Sequence, residues 1–171
     1  MNWHNALAIS AVATLGIAFL PTGAVSQQKS LKDQLVGTWM LIATENVRPD
    51  GTKFEPYGPN PKGTLTFDGS GRYSLTIVRS DLPKMSGNSV DQGTPKEYEA
   101  VVKGLVATFG TYSVNDSDKT INTHVEGSSF PNITGTDQKR IIVSINANEL
   151  RYTNAATITG SRADVTWRRA K

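Results

Sequence analysis

The chain has 171 residues, 37% of them hydrophobic, with 18 basic and 15 acidic side chains for a net charge of +3. That length suits one domain around one core, and the scattered charges form no basic stripe able to track a phosphate backbone, so no nucleic-acid partner is expected. There is no cysteine, which excludes disulfides, thiolate nucleophiles, iron–sulfur clusters and cysteine-ligated zinc and leaves packing alone to hold the fold.

In chain order, the first feature is a targeting signal. Residues 6–20 carry no charge and are interrupted only by Ser10, Thr14 and Gly16, after which Pro21 and Gly23 break the run. Such a run falls short of the roughly 20 residues a helix needs to cross a bilayer and matches the apolar region of a signal peptide. Ala24-Val25-Ser26 supplies small residues for cleavage, although residues 1–5 lack the usual Lys or Arg. The expectation is a signal peptide over residues 1–26, a mature domain over 27–171, export to the periplasm or medium, and no stable membrane insertion after cleavage.

Ser30 can cap a short helical turn through Leu31, Leu35 and Val36, ended by Gly37. From Thr38 onward, about nine strand candidates follow one another with turn chemistry between them: 38–47, 52–56, 63–67, 72–80, 108–114, 120–127, 138–145, 149–156 and 162–169. Pro49-Asp50-Gly51, Asp68-Gly69-Ser70-Gly71, Asn115-Asp116-Ser117-Asp118 and Asn146-Ala147-Asn148 place Gly, Asn or Asp where reversals need them. Tyr73, Leu75 and Ile77 alternate with Ser74 and Thr76, and Ile141, Val143 and Ile145 alternate with Ile142 and Ser144, so each strand should bury one face. Closing the sheet on itself hides its edges, which points to an all-β, antiparallel up-and-down barrel of about eight or nine strands. One helix interrupts it: Thr94-Pro95-Lys96-Glu97 provides a cap, a first-turn proline and an acidic first turn before apolar residues at helical spacing. It is expected over 95–107, covering one mouth of the barrel and, with the Gly/Ser-rich loop 81–93, controlling access.

Gly37-Thr38-Trp39 resembles the G-x-W motif that opens lipocalins and related barrels, and Arg169 on the last strand stands where that family places its partner arginine. Gly110-Thr111-Tyr112, His124-Val125-Glu126-Gly127-Ser128, Phe130-Pro131-Asn132, Gly135-Thr136-Asp137-Gln138-Lys139-Arg140 and Trp167-Arg168-Arg169 follow in order. Together they resemble the secreted lipocalin-like domain family of bacteria and fungi, over nearly all of the mature chain. Ile133 stands where that family commonly carries tryptophan. The resemblance implies a lipocalin-like barrel closed by an arginine lying across a tryptophan, Arg169 on Trp39, and a secreted habit. A guanidinium on an indole is a cation–π contact worth about 0.5–2 kcal/mol. The fold alone implies no chemistry.

The residues able to act on a ligand are few. His124 and Glu126 share a strand face, and Arg79 shares parity with Tyr73, Leu75 and Ile77. If these faces point inward, Arg79, Glu126 and Arg140 would pair with one another, because an unpaired buried charge is too costly to keep. Arg79, His124, Glu126, Arg140, Tyr73, Tyr112 and Tyr152 are therefore the candidate ligand contacts, and the same charged residues forming a purely structural network is the competing expectation. An apolar wall is expected from Trp39, Leu41, Tyr73, Leu75, Ile77, Phe109, Tyr112, Ile141, Val143, Tyr152, Val165 and Trp167. With His124 the one imidazole after the cleavage site, no metal or other cofactor is expected, and the oxygens of Asn115-Asp116-Ser117-Asp118 read as a turn. The function expected is binding of a small, partly apolar molecule. Two alternatives stay open: an enzyme of cyclase, isomerase or hydratase type in which His124 or Glu126 moves a proton, and a packed barrel that binds another protein.

Overall fold

The computed structural model describes residues 29–171; the signal-peptide expectation lies outside the described residues. Its elements are α1 (Leu31–Leu35), β1 (Gly37–Val47), β2 (Lys53–Phe54), β3 (Lys62–Phe67), β4 (Arg72–Val78), α2 (Pro95–Gly104), β5 (Leu105–Asn115), β6 (Thr120–Ser128), a 3-10 turn (Pro131–Ile133), β7 (Asp137–Ile145), β8 (Glu149–Asn154) and β9 (Arg162–Arg169). Each expected strand is present. The main difference is that α2 stops at Gly104 instead of reaching residue 107, because Leu105 is already paired with Val78 in the β4–β5 ladder.

All ladders are antiparallel. From β1 the order runs β3, β4, β5, β6, β7, β8 and β9, and β9 pairs back onto β1, so eight strands close a barrel while β2 adds a short edge beside the far end of β1. Closure is registered by Trp39 opposite Arg169, whose guanidinium carbon sits 4.0 Å from the indole centroid. Arg169 does more than stack. Its Nε donates to the Ala147 carbonyl at 2.7 Å, its Nη1 to Val36 at 2.8 Å, and its Nη2 to Gln34, joining α1, β1 and the β7–β8 turn. Gly37 adopts φ +128°, and a Cβ there would lie 2.8 Å from Arg169 Nη1, so the glycine of the G-x-W motif is what lets the arginine approach.

α1 plugs this end of the barrel. Ser30 Oγ accepts from the Asp33 amide at 3.1 Å, the Leu31 amide donates to Asp116 in the β5–β6 turn at 3.0 Å, and Trp39 Nε1 donates to the Leu35 carbonyl at 2.8 Å. Leu35, Trp39, Leu65, Phe67, Ile121, Leu150 and Trp167 are fully buried beside one another, so this half of the barrel is packed solid.

Three expected wall residues face outward. Ile142, not its neighbours, is buried in β7, leaving Ile141 and Val143 exposed, the latter by 62%. The cause is the inward seat of Arg140, which sets the parity of the strand, and a bulge between Ile142 and Ser144 that pushes Val143 outside. Phe109 is likewise exposed and packs on Gly127 next to a bulge at Phe109/Gly110. Gly110 makes that bulge possible, since a Cβ there would stand 2.0 Å from the His124 carbonyl oxygen.

Candidate functional site

Toward the other end the barrel opens into a cavity of about 80 Å³, room for several water-sized groups where roughly 10–15 Å³ holds one. Its apolar lining comes from Leu75 and Ile77 on β4, Val106 on β5 and Val165 on β9. Polar side chains are interspersed with them: Thr44 and Asn46 on β1, Thr108 beside Leu75 in the β4–β5 ladder, Gln138 and Arg140 on β7, and Tyr152 and Asn154 on β8, with Thr44 and Tyr152 flanking Val165. The rim is built by Pro56 and Tyr57, by Ile133, and by Thr157, Ile158 and Thr159 of the β8–β9 loop. No residue of α2 or of loop 81–93 lines it, which corrects the expectation that the helix controls access. α2 instead satisfies itself: its Thr94–Glu97 capping box is complete, and Glu97 also holds Ser86 of the preceding loop.

The β8–β9 loop is pinned over the rim by hydroxyls. Thr157, Thr159 and Ser161 hydrogen-bond one another at 2.7–2.9 Å, and Asn46 Nδ2 donates to Ser161 Oγ at 2.7 Å from across the β1–β9 seam.

Arg140 is the one charged residue on the wall, and no carboxylate lines it among the described residues. The side chain is 5% exposed. Its guanidinium carbon lies 5.8 Å from the Tyr73 ring centroid and 5.8 Å from that of Tyr152, and Nη1 donates to Thr123 Oγ1 at 2.6 Å. Cation–π contacts of about 0.5–2 kcal/mol each hold the group but satisfy few of a guanidinium's five N–H donors. Nearby polar atoms are also short of partners: Tyr73 Oη, Thr108 Oγ1 and Trp167 Nε1 are buried without a hydrogen bond. The phenols are donors at ordinary pH. Burial pushes Tyr57 up to about 12, aided by neighbouring Tyr152, and burial likewise raises Tyr152 against the opposing pull of the Arg140 charge.

The remaining candidates are elsewhere. His124 and Glu126 do share a face, but it is the outer one: His124 Nδ1 meets Asp137 Oδ1 at 2.8 Å, and Glu126 pairs with Arg72 at 2.6 Å. Ile121, Thr123 and Val125 take the inside of β6 instead. The Arg72 guanidinium holds the Glu126 carboxyl below its ordinary value. Arg79 lies past the end of β4, where its amide bonds to Gly104 and its guanidinium forks onto Asp81, with both N···O distances 2.8 Å. The expected Arg79–Glu126–Arg140 cluster is thus not formed. Its members occupy three separate places, because each surface charge found a partner within reach in solvent. Tyr112 is buried in the packed half, its ring 4.7 Å from that of Phe67 and its hydroxyl donating to the Asp68 carbonyl at 2.7 Å. Of the seven candidates, Arg140 and Tyr152 line the cavity, and Tyr73 lies under the guanidinium. Asn115-Asp116-Ser117-Asp118 is a turn, its Asn115 Oδ1 accepting from the Ser117 and Asp118 amides.

The polar wall residues Thr108, Gln138 and Asn154 were legible in principle, since they keep parity with Val106, Arg140 and Tyr152. Thr44 and Asn46 were not, because a bulge between Leu41 and Ala43 reverses the parity set by Trp39.

The lipocalin-like domain family profile matches residues 36–170. The chain is 30% identical over 105 residues to the 4'-hydroxy-3'-methoxypropiophenone carrier protein of Aspergillus oryzae, an alignment spanning 56% of this chain and 95% of that protein. Among solved structures, a lipocalin-like protein from Bacteroides uniformis is 15% identical with a TM-score of 0.43, covering 80% of this chain and 99% of the other. A bovine odorant binding protein, solved in complex with a selenium-containing odorant, is 16% identical with a TM-score of 0.40, covering 85% of this chain and 76% of the other.

Proposed function

The chain belongs to the lipocalin-like domain family, and from that premise we propose that it is an exported carrier taking a small, partly apolar molecule into the open half of its barrel. The observation that carries this is the contrast within the interior: one half is filled by fully buried aromatic and aliphatic side chains, while the other keeps a cavity lined by both apolar and polar residues. Leu75, Ile77, Val106 and Val165 would hold the apolar part, and Arg140, Tyr152 and Thr108 the polar part. The Aspergillus relative is named as a carrier of an aryl ketone, which is itself a small, partly apolar molecule. A proton-moving role for His124 or Glu126 inside the cavity finds no support, since both face solvent.

The test uses 4'-hydroxy-3'-methoxypropiophenone as the probe, read by tryptophan fluorescence, because the Trp167 ring lies 6.4 Å from that of Tyr152, which lines the cavity, and by thermal shift. A ligand at a hundred times its Kd stabilises the fold by about 2.7 kcal/mol. The variant Ala163→Leu enlarges a buried β9 side chain that lines the cavity and is expected to abolish the signal while leaving the melting temperature within a few degrees. Saturable binding that survives this variant would place the ligand elsewhere. Export rests on the apolar run at residues 6–20; a secreted product whose mass begins at Gln27 supports it, and one retaining Met1 defeats it.

A further inference from the structure

The Arg140 guanidinium is more than nine-tenths buried, faces the cavity, and meets no carboxylate among the described residues. It is held in place by Tyr73, Tyr152 and Thr123, so its position does not depend on a ligand. Two buried hydroxyls have no hydrogen bond among the described residues: Tyr73 Oη, whose ring faces the guanidinium, and Thr108 Oγ1, which lines the same cavity. The Tyr152 hydroxyl is a second oxygen within reach of Arg140 besides Thr123. A buried cation retains its place only where something compensates it, and two ring faces with neutral hydroxyls leave a planar fork built to grip two oxygens at once without an anionic partner.

We infer that the ligand carries an anionic oxygen group, a carboxylate or its equivalent, which docks on Arg140 with Thr108 Oγ1 as a supporting donor while the apolar remainder lies against Leu75, Ile77, Val106 and Val165. The inference rests on the carrier reading and narrows it from small partly apolar molecules to small organic acids. Depth follows from the strand positions: Arg140 is on β7 directly beyond Gln138 from the rim, so the acid enters first and the apolar body follows it under Tyr57 and Ile158.

The experiment compares benzoate with benzamide, two probes of nearly equal shape that differ in charge, by calorimetric titration of the full mature domain. The neutral aryl ketone of the previous section serves as a third probe. Benzoate is expected to bind at least ten-fold more tightly than benzamide, and Arg140→Met to erase that preference by weakening benzoate far more than benzamide. Arg140→Lys, which keeps the charge without the fork, should recover part of it. Thr108→Val, a near-isosteric change that removes the unpartnered hydroxyl, should weaken benzoate a few-fold and keeps the test decisive should Arg140→Met not fold. Equal affinity for benzoate and benzamide, or a preference untouched by Arg140→Met, overturns the organic-acid inference and leaves the carrier reading standing if the ketone binds. Failure of all three probes to bind overturns both.

Discussion

Arg169 at the packed end and Arg140 at the open end both face aromatic rings, and the two do opposite things. At the packed end, Arg169 stacks on Trp39 and gives its N–H groups to three backbone carbonyls from separate segments. At the open end, Arg140 lies between Tyr73 and Tyr152 with one side-chain hydrogen bond and a cavity in front of it. Residue type is the same, and so is the aromatic company. What differs is how completely the protein itself satisfies the guanidinium. A satisfied arginine is a fastening, and an under-satisfied one is a site.

Substitutions can break that contrast in decreasing order of effect. Trp39→Ala removes a fully buried indole from the packed end and should cost about 3–5 kcal/mol in urea unfolding; a cost near 1 kcal/mol would mean that this end is not packed as described. Arg169→Met should lose about 2–3 kcal/mol, since charge-assisted hydrogen bonds to three carbonyls go with it. Arg140→Met should leave stability unchanged or raise it by about 1 kcal/mol, as happens when buried ions give way to apolar side chains. Equal losses at Arg140 and Arg169 would erase the distinction between them.

The smallest effects belong to the outer face. His124→Ala should change neither the melting temperature nor probe binding, because its partner Asp137 is on the surface as well. The Glu126 carboxyl is held below its ordinary value of 4.5 by Arg72, so the native state binds that proton less readily than the unfolded chain. Its small contribution is present above the ordinary carboxylate range and fades as pH falls through it. Arg72→Ala should flatten that part of the stability–pH curve, and an unchanged curve would show that the pair contributes nothing.

The strands, their turns and the capped helix could be inferred from local pattern, because turn residues, capping boxes and alternation are short-range signals, while the Trp39–Arg169 closure followed from the family resemblance. The site was legible only in part. Arg140, Tyr73 and Tyr152 were named as candidates, whereas Arg79, Glu126 and His124 were grouped with them on charge and an assumed inward strand parity and proved to be solvent-side pairs. Ile141 and Val143 read as core by hydrophobicity and lie outside, since Arg140 occupies the inward parity that they would need. The rim was misassigned to α2 because proximity in sequence says nothing about which loops lean over the mouth.

By itself, the amino-acid sequence determined where strands form and where they turn, and its family resemblance named the tryptophan and arginine that meet where the sheet closes. The tertiary structure alone decided which face of β6 and β7 looks inward, that one half is filled and the other retains a cavity, and that a single arginine is left there without an acidic partner. The physical reason is that facing depends on bulges and on long-range pairing, each able to reverse a whole strand by one residue. Whether a buried charge is compensated depends in turn on side chains brought together from distant strands.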